Sequence, residues 1–177
     1  QFPELGVEFV VSNQPGANGT VAANYVWNQD HDGYHLVGAS ESSMTYAING
    51  GFDMGARAWH YFWSAGSPGV LVVRGDSEFE SFDNLVEAAR ANPGQVPVGN
   101  SGTGKLWHLK VEMVDTYGEV PVKDVPYQGS APAITALLSG EVQALSLSAG
   151  EAAGYIQSGD MRPLVITESY GYEAARR

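Results

Sequence analysis

A glycine-rich loop carries the residue types and spacing best suited to chemistry. Gly99-Asn-Ser-Gly-Thr-Gly104-Lys105 fits the G-x-x-x-x-G-K pattern of loops that hold nucleotide phosphates. An apolar stretch of strand type precedes the loop, and a segment of helix type follows it. Backbone N–H groups at such a junction bind anions, so the pattern predicts an anion site.

Nucleotide hydrolysis does not fit this loop. Phosphate-binding loops of that kind place Ser or Thr directly after the lysine to hold Mg²⁺, and here that residue is Leu106. The metal also needs an aspartate at the end of a second strand. Of the later strand-type segments, VQALSL is followed directly by a serine and RPLVIT ends in threonine, so neither supplies that aspartate. The residues that would hold the metal ion for nucleotide hydrolysis are therefore missing.

A serine hydrolase is the alternative from another class. Residues 99–103 (GNSGT) are one glycine short of the G-x-S-x-G nucleophile elbow, with Ser101 as the nucleophile. The histidine base is the difficulty, because His108 is the only histidine after Ser101 and we expect it two turns into the same helix. The other histidines precede the serine, outside any recognisable acid–base arrangement: His31, His35 and His60.

We expect neither a metal centre nor a cofactor. Asp30, His31, Asp32 and His35 cluster in one turn, but Asp-Gly turns are routinely polar and solvated. H-E-x-x-H and calcium-loop spacings do not occur in the sequence. The chain has no cysteine, which excludes disulfides, thiolate zinc sites and cysteine nucleophiles.

The loop is better suited to a carboxylate, because it offers donors without a complete catalytic set. Gly102 and Gly104 allow close backbone approach, while Ser101 and Thr103 add hydroxyl donors. Lys105 either adds a charge at the helix N-terminus or points to water, and the sequence leaves both open. The sequence therefore predicts a carboxylate-binding loop.

Strand-type and helix-type segments alternate along the chain. This alternation predicts an α/β fold, with a largely parallel sheet and helices on both faces. The predicted strands are residues 7–11, 34–39, 70–73, 96–100, 122–127, 142–147 and 162–167. The predicted helices are residues 20–27, 42–48, 82–91 with Ser81 as N-cap, one opening near Lys105, 131–138 and 151–157. Four strand-to-helix junctions are rich in small residues, and ligands bind at such junctions in parallel sheets.

Composition and charge narrow the class of protein. The chain has 177 residues, of which 44% are hydrophobic, as in ordinary globular proteins. A formal net charge of −11 argues against a nucleic-acid partner, which requires a basic surface. No apolar run approaches the roughly 18 residues of a membrane span, so membrane insertion is not expected.

Five segments match the patterns of one protein family, in the same order. They are NQPGANG (N-x-P-G-A-G-G in the family), DGYHLVGA (D-G-Y-T-L-L), ARANPGQVPVGNSGTGKLWHLKVE (A-K-A-N-P-G…S-G-x-G-S…H-L), VPYQGSAPAITALLSGEVQAL (V-P-Y-K-G-x-A-P-A…L-L-G-G-x-V-D) and GDMRPLVIT (G-K-L-R-x-L-A-V-T). Over nearly its whole length, the chain thus resembles the solute-binding receptors of tripartite tricarboxylate transporters, also called Bug receptors.

The resemblance implies a bacterial receptor in the periplasm or otherwise outside the cytoplasm, built like periplasmic binding proteins from two lobes. Such a receptor is not an enzyme; it closes on a small carboxylate between its lobes and delivers it to membrane permease subunits. Residues 70–73 and 164–167 would be the crossing strands. Residues 1–75 would then belong to the first lobe, 76–163 to the second, and 164–177 to the return to the first. We also expect the chain to be a fragment that lacks the family's N- and C-terminal segments.

The expected ligand contacts lie on loops of both lobes. The turn at residues 16–18 is expected to face residues 101–104 across one cleft. Tyr127 is expected either to form a flat wall of the site or to be a core residue with its hydroxyl satisfied internally. The full set is Gly16, Ala17, Asn18, Ser40, Ser43, Ser101, Gly102, Thr103, Gly104, His108, Tyr127, Gln128, Gly129 and Ser130.

Three positions depart from the family pattern. Asn18 stands where the turn usually has glycine, Lys105 where the loop has serine, and Gln143 where the family often has aspartate. Because two of these positions lie in binding loops, they bear on the identity of the ligand rather than on the fold.

Overall fold

The structure is a computed structural model that describes residues 6–48, 50–62 and 66–167. The chain forms two compact units, Gln1–His60 and Tyr61–Arg177. No helix within the described ranges is long and apolar enough to cross a membrane.

The first unit is built around one helix and an aromatic core. Helix α1, Thr20–Trp27, has the bounds predicted from the sequence, and short 3₁₀ helices occupy Ala17–Gly19, Glu41–Thr45 and Ala56–Ala58. The buried residues Ala23, Tyr46 and Phe52 form its core, with Trp27 and Trp59 packed against them. The rings of Trp27 and Trp59 meet edge to face at 5.4 Å, an arrangement that adds to their apolar burial.

Two predicted strands in this unit are wrong. Val7 forms a single β-bridge, while residues 8–11 are irregular, and Val10 and Val11 are 87% and 86% exposed. Residues 34–39 are also irregular and mostly exposed. A strand needs a neighbouring ladder, which an apolar run in the sequence does not supply by itself. The helix predicted at residues 42–48 is a 3₁₀ helix, Glu41–Thr45, followed by a turn.

The second unit holds a five-stranded sheet with the strand order β3-β2-β4-β1-β5. The strands are β1 Gly69–Arg74, β2 Pro97–Asn100, β3 Lys123–Pro126, β4 Ala144–Ser148 and β5 Met161–Ile166. The helices are α2 Phe82–Ala91, α3 Leu106–Thr116, α4 Ser130–Ser139 and α5 Ala149–Ser158. Each matches a predicted element within two residues at its ends, except that only the start of α3 was predicted.

Strand β1 carries core residues on both faces of the sheet. Val70 and Val72 pack into a cluster with residues of α4 and α5, while Leu71 and Val73 join a second cluster with residues of α2 and α3. Since side chains alternate along a strand, a strand buried on both faces appears in the sequence as an unbroken apolar run. The prediction of helices on both faces of the sheet is confirmed.

The strand directions decide which loops share an edge of the sheet. Strand β2 pairs in parallel with both β3 and β4, whereas β1 is antiparallel to β4 and β5. The loops that follow β2, β3 and β4 therefore lie at one edge. The loop that follows β1 lies at the opposite edge. Within this unit β1 and β5 pair with each other, with Val70 opposite Ile166; their role as crossing strands between lobes stays a prediction.

Candidate functional site

Two neighbouring strand-to-helix loops form the candidate site. Residues 101–105 connect β2 to α3, and residues 127–129 connect β3 to α4. The backbone N–H of Tyr127 donates to the carbonyl of Asn100 at 3.0 Å, which joins the two loops. A Cβ atom placed on Gly102 would lie 2.9 Å from the carbonyl oxygen of Tyr127, so glycine permits this close approach.

Helices α3 and α4 begin without a side-chain cap, in contrast to the other two helices of the unit. The Ser81 hydroxyl caps α2, and Ser148 caps α5 in a capping box with Glu151. Within the described residues, no side chain caps the starts of α3, at Lys105, or of α4, at Gly129. Since β2 and β3 are adjacent, two helix N-termini with uncapped amide groups lie side by side, an arrangement that favours an anion.

The inner amides of the first loop are already used. The Asn100 side chain is fully buried, and its Oδ1 accepts from the N–H of Gly102 at 2.8 Å. The N–H of Gly104 donates to His108 Nδ1 at 3.3 Å, and that of Lys105 donates to the Gly102 carbonyl at 3.1 Å. These amides hold the shape of the loop. Ligand contacts by the loop hydroxyls and by the first turn of α3 stay a prediction.

His108 belongs to this network. The sequence predicts it two turns into the helix, but α3 begins at Leu106, so His108 lies in the first turn. Its Nε2 is 3.5 Å from Asp124 Oδ2 and 3.7 Å from Glu112 Oε1. The Asn100 amide donates to the other oxygen of Asp124. Burial raises the pKa of Asp124; the Glu112 carboxylate also raises it, whereas His108 and Asn100 oppose the rise.

The same three side chains are the group that could hold a metal ion among the described residues. Ligand atoms of His108, Glu112 and Asp124 all lie within 4.8 Å of one another. A metal would have to bind His108 at Nε2, and the other ring nitrogen would then carry the proton. The hydrogen bond from Gly104 requires Nδ1 to be the acceptor instead. The arrangement therefore favours a hydrogen-bonded cluster over a metal centre.

The hydrolase alternative meets the same obstacle. A base for Ser101 needs a ring nitrogen free to accept its proton. His108 uses Nδ1 to accept from Gly104 and directs Nε2 toward two carboxylates. The histidine that the sequence places after Ser101 is thus already engaged.

The Tyr127 hydroxyl has an internal hydrogen-bond partner, which was one of the two alternatives that the sequence left open. Its hydroxyl donates to Glu141 Oε1 at 2.8 Å, and its ring packs against the core cluster beneath α4. Burial and the Glu141 carboxylate raise the pKa of Tyr127 to about 12. Gln128 is exposed, Gly129 has a φ of +128°, and Ser130 is the first residue of α4.

The predicted contacts of the first unit fall into two turns. Gly16, Ala17, Asn18 and Gly19 form a run of positive φ angles, which L-residues rarely adopt. The run is closed by a hydrogen bond from the Gly19 N–H to the Gly16 carbonyl at 2.9 Å. In the second turn the N–H of Ser43 donates to the carbonyl of Ser40 at 3.0 Å. The ligand-binding role of both turns stays a prediction.

Sequence reasoning missed the residues that support the first loop. Asn100 ends β2 and Asp124 lies within β3, and no motif in the sequence singled out either residue. His108 and Glu112 are four residues apart on α3, a spacing that places them on one helix face and was available in the sequence.

A known family of receptors matches this chain. The profile of the tripartite tricarboxylate transporter family receptor (TctC) matches residues 3–173. Protein BugT of Bordetella pertussis is 29% identical over 173 residues, which cover 93% of this chain and 52% of BugT. The chain spans about half the length of the curated relatives it matches.

Solved structures show the same fold. Rpa4515 of R. palustris, solved with adipate, is 29% identical with a TM-score of 0.82, and the match covers 94% of this chain and 57% of that protein. A TctC solute-binding protein from Polaromonas is 27% identical with a TM-score of 0.69, covering 90% of this chain and 55% of that one. By its motifs, its fold and a profile match over nearly its whole length, the chain belongs to the TctC family of tripartite tricarboxylate transporter receptors.

Proposed function

We propose that the chain is the ligand-binding part of a receptor that captures a small carboxylate at the starts of α3 and α4. The observation that carries the proposal is the pair of neighbouring helix N-termini without side-chain caps. A carboxylate there completes amide groups that otherwise depend on water. The structural relative from R. palustris was solved with adipate, which supports a carboxylate of that size.

The roles of the loop residues follow from their partners. Ser101 and Thr103 offer hydroxyls beside the first turn of α3, while Gln128 and Ser130 offer donors at the start of α4. Gly102 and Gly104 act through the shape of the loop. A ligand-binding role of the first-unit turns, with Gly16 to Asn18 and with Ser40 and Ser43, stays a separate prediction.

The wider role rests on the family. We infer delivery of the bound carboxylate to membrane permease subunits outside the cytoplasm, because that is the task of tripartite transporter receptors. Binding without catalysis suits the site, since its histidine is engaged in the loop network.

A thermal-shift screen of small carboxylates tests the proposal. A ligand at about 100 times its Kd stabilises the folded state by about 2.7 kcal/mol, which is readily seen as a rise in Tm. We expect adipate or another small dicarboxylate to raise Tm, and Ser101→Ala to reduce that rise. A flat response to every carboxylate, or turnover of activated esters that vanishes in Ser101→Ala, would contradict it.

A further inference from the structure

We propose that His108 positions the carboxylate-binding loop only while its Nδ1 is unprotonated, so that ligand affinity falls when this ring takes up a second proton. The inference rests on the proposed carboxylate site. It makes His108 a positioning residue, in place of the ligand contact that the sequence suggests.

The hydrogen bond from Gly104 fixes the state of the ring. The Gly104 N–H donates to Nδ1, so this nitrogen must keep its lone pair. The neutral ring then carries its proton on Nε2. Nε2 lies 3.5 Å from Asp124 Oδ2 and 3.7 Å from Glu112 Oε1, so its proton is on the side of two carboxylates. This tautomer therefore suits the partners on both sides of the ring.

The same network reaches the second inner amide of the loop. Asp124 accepts from the Asn100 side-chain amide, and Asn100 Oδ1 accepts from the Gly102 N–H at 2.8 Å. Because Asn100 is fully buried, it has no water to replace these partners. The positions of Gly102 and Gly104 therefore depend on one connected set of side chains behind the loop.

A second proton on His108 changes one contact of this set. Protonated Nδ1 becomes a donor that faces the donor N–H of Gly104, so their hydrogen bond is lost. The charged groups beside the ring, among the residues that the structure describes, are Glu112 on α3 and Asp124 on β3. Lys105, at the start of α3, approaches Gly102 through its side-chain carbons. The two carboxylates face Nε2 and compensate the added charge there. The remaining effect on a ligand is the loss of the Gly104 anchor.

The first test measures adipate affinity by calorimetry at a series of pH values between about 7.5 and about 5.5. Loss of one loop hydrogen bond should weaken wild-type binding roughly 5-fold at the lower pH, beyond the change caused by protonation of adipate itself. The matched variant His108→Asn keeps an acceptor oxygen near the position of Nδ1 but does not titrate. It should show a weaker pH dependence than wild type, with the change caused by adipate and by Asp124, whose pKa burial raises, still present.

Equal pH dependence in wild type and His108→Asn would overturn the inference, and so would tighter binding at low pH in wild type alone. A second measurement needs neither ligand nor variant. Ring ¹⁵N NMR of the wild-type protein should report the Nε2–H tautomer, with amide exchange at Gly104 accelerating beyond its intrinsic rate as His108 is protonated. A ring protonated on Nδ1 at neutral pH would refute the inference. If adipate does not bind at either pH, the proposed function fails while the NMR result still decides the state of His108.

Discussion

Asn100 and Tyr127 show how single side chains decide which groups of the site remain for a ligand. Asn100 takes up the inner amide of Gly102, and Tyr127 directs its hydroxyl to Glu141 rather than to the loop. The partner of Asn100 is a backbone amide two residues along the chain, whereas the partner of Tyr127 lies fourteen residues away. The sequence identified the loop residues but could not show which of their atoms were already bonded.

Tyr127 yields a prediction about alkaline pH. Its pKa of about 12 lies above the ordinary 10.0, so the folded state holds the phenolic proton more tightly than the unfolded state does. The resulting stability is fully present below about pH 10 and is lost as the pH rises through about 12. The variant Glu141→Gln removes the carboxylate and should therefore lower the pKa of Tyr127 toward the ordinary 10.0. The difference in ultraviolet absorbance between each protein and its Tyr127→Phe counterpart isolates this residue, and an unchanged midpoint would contradict the assigned contact.

Among the helices, the start of α3 is the place where helix stability and the proposed ligand binding depend on the same residue. Lys105 occupies the N-cap position with extended backbone angles and without a side-chain hydrogen bond, whereas Ser81 and Ser148 cap their helices. The start of α3 therefore lacks the stabilising side-chain cap that the other two helices have. With a ligand bound there as proposed, stability and binding would compete at this position.

Lys105→Asp should separate the two effects. An aspartate cap should raise the free energy of unfolding by about 0.5–1 kcal/mol through the helix amides and dipole. It also places a carboxylate where the ligand is proposed to bind, so adipate affinity should fall at least 10-fold or so. Lys105→Ser, which caps without a negative charge, controls for the lost lysine. Undiminished adipate binding by Lys105→Asp would remove α3 from the site.

Gly102→Ala should test the close contact between the two loops. Gly102 has a φ of +131°, and an added Cβ would lie 2.9 Å from the Tyr127 carbonyl oxygen. Gly129 has a similar φ of +128°, but a Cβ there would meet nothing within 4 Å. Gly129→Ala therefore carries the backbone strain alone. Denaturant unfolding should show Gly102→Ala to be less stable than Gly129→Ala by about 1–3 kcal/mol, and equal stabilities would mean that the loops are further apart.

The elements of the second unit could be predicted because their signals are local. Ser81 accepts from the Asn84 N–H, as expected of an N-cap, and the buried run at residues 70–73 is β1. The apolar runs at residues 7–11 and 34–39 carry a similar composition, yet they are irregular in the structure. A strand is defined by the ladder beside it, which depends on residues far away in the chain. The network behind Gly102 and Gly104 was missed for the same reason, since Asn100, Asp124 and His108 come together only in the fold.

In the molecule as a whole, the first and last strands along the chain, β1 and β5, are part of the core of the second unit. Strand β1 supplies Val70 and Val72 to one hydrophobic cluster and Leu71 and Val73 to the other, and all four are at most 4% exposed. Strand β5 pairs along β1. The sequence predicted that the second lobe begins after these residues, at position 76, and ends at 163.

Two truncated chains distinguish these boundaries. Residues 61–177 contain the complete sheet and should unfold in one cooperative urea transition with the circular dichroism of a folded α/β unit. Residues 76–163 lack β1 and much of β5, so both clusters lose core side chains that are each worth about 1.5–3 kcal/mol of burial. We expect this shorter chain not to fold. Cooperative unfolding of residues 76–163 would instead support the boundary predicted from the sequence.

A small carboxylate is proposed to bind where α3 and α4 begin. An amide NMR titration of the full chain with adipate tests binding and location together. We expect saturable shifts that are largest at residues 101–107 and 128–131, with small shifts at the start of α2, whose amides are capped by Ser81. Shifts that saturate but centre on other residues, or no shifts at millimolar adipate and at millimolar concentrations of shorter and longer dicarboxylates, would contradict it.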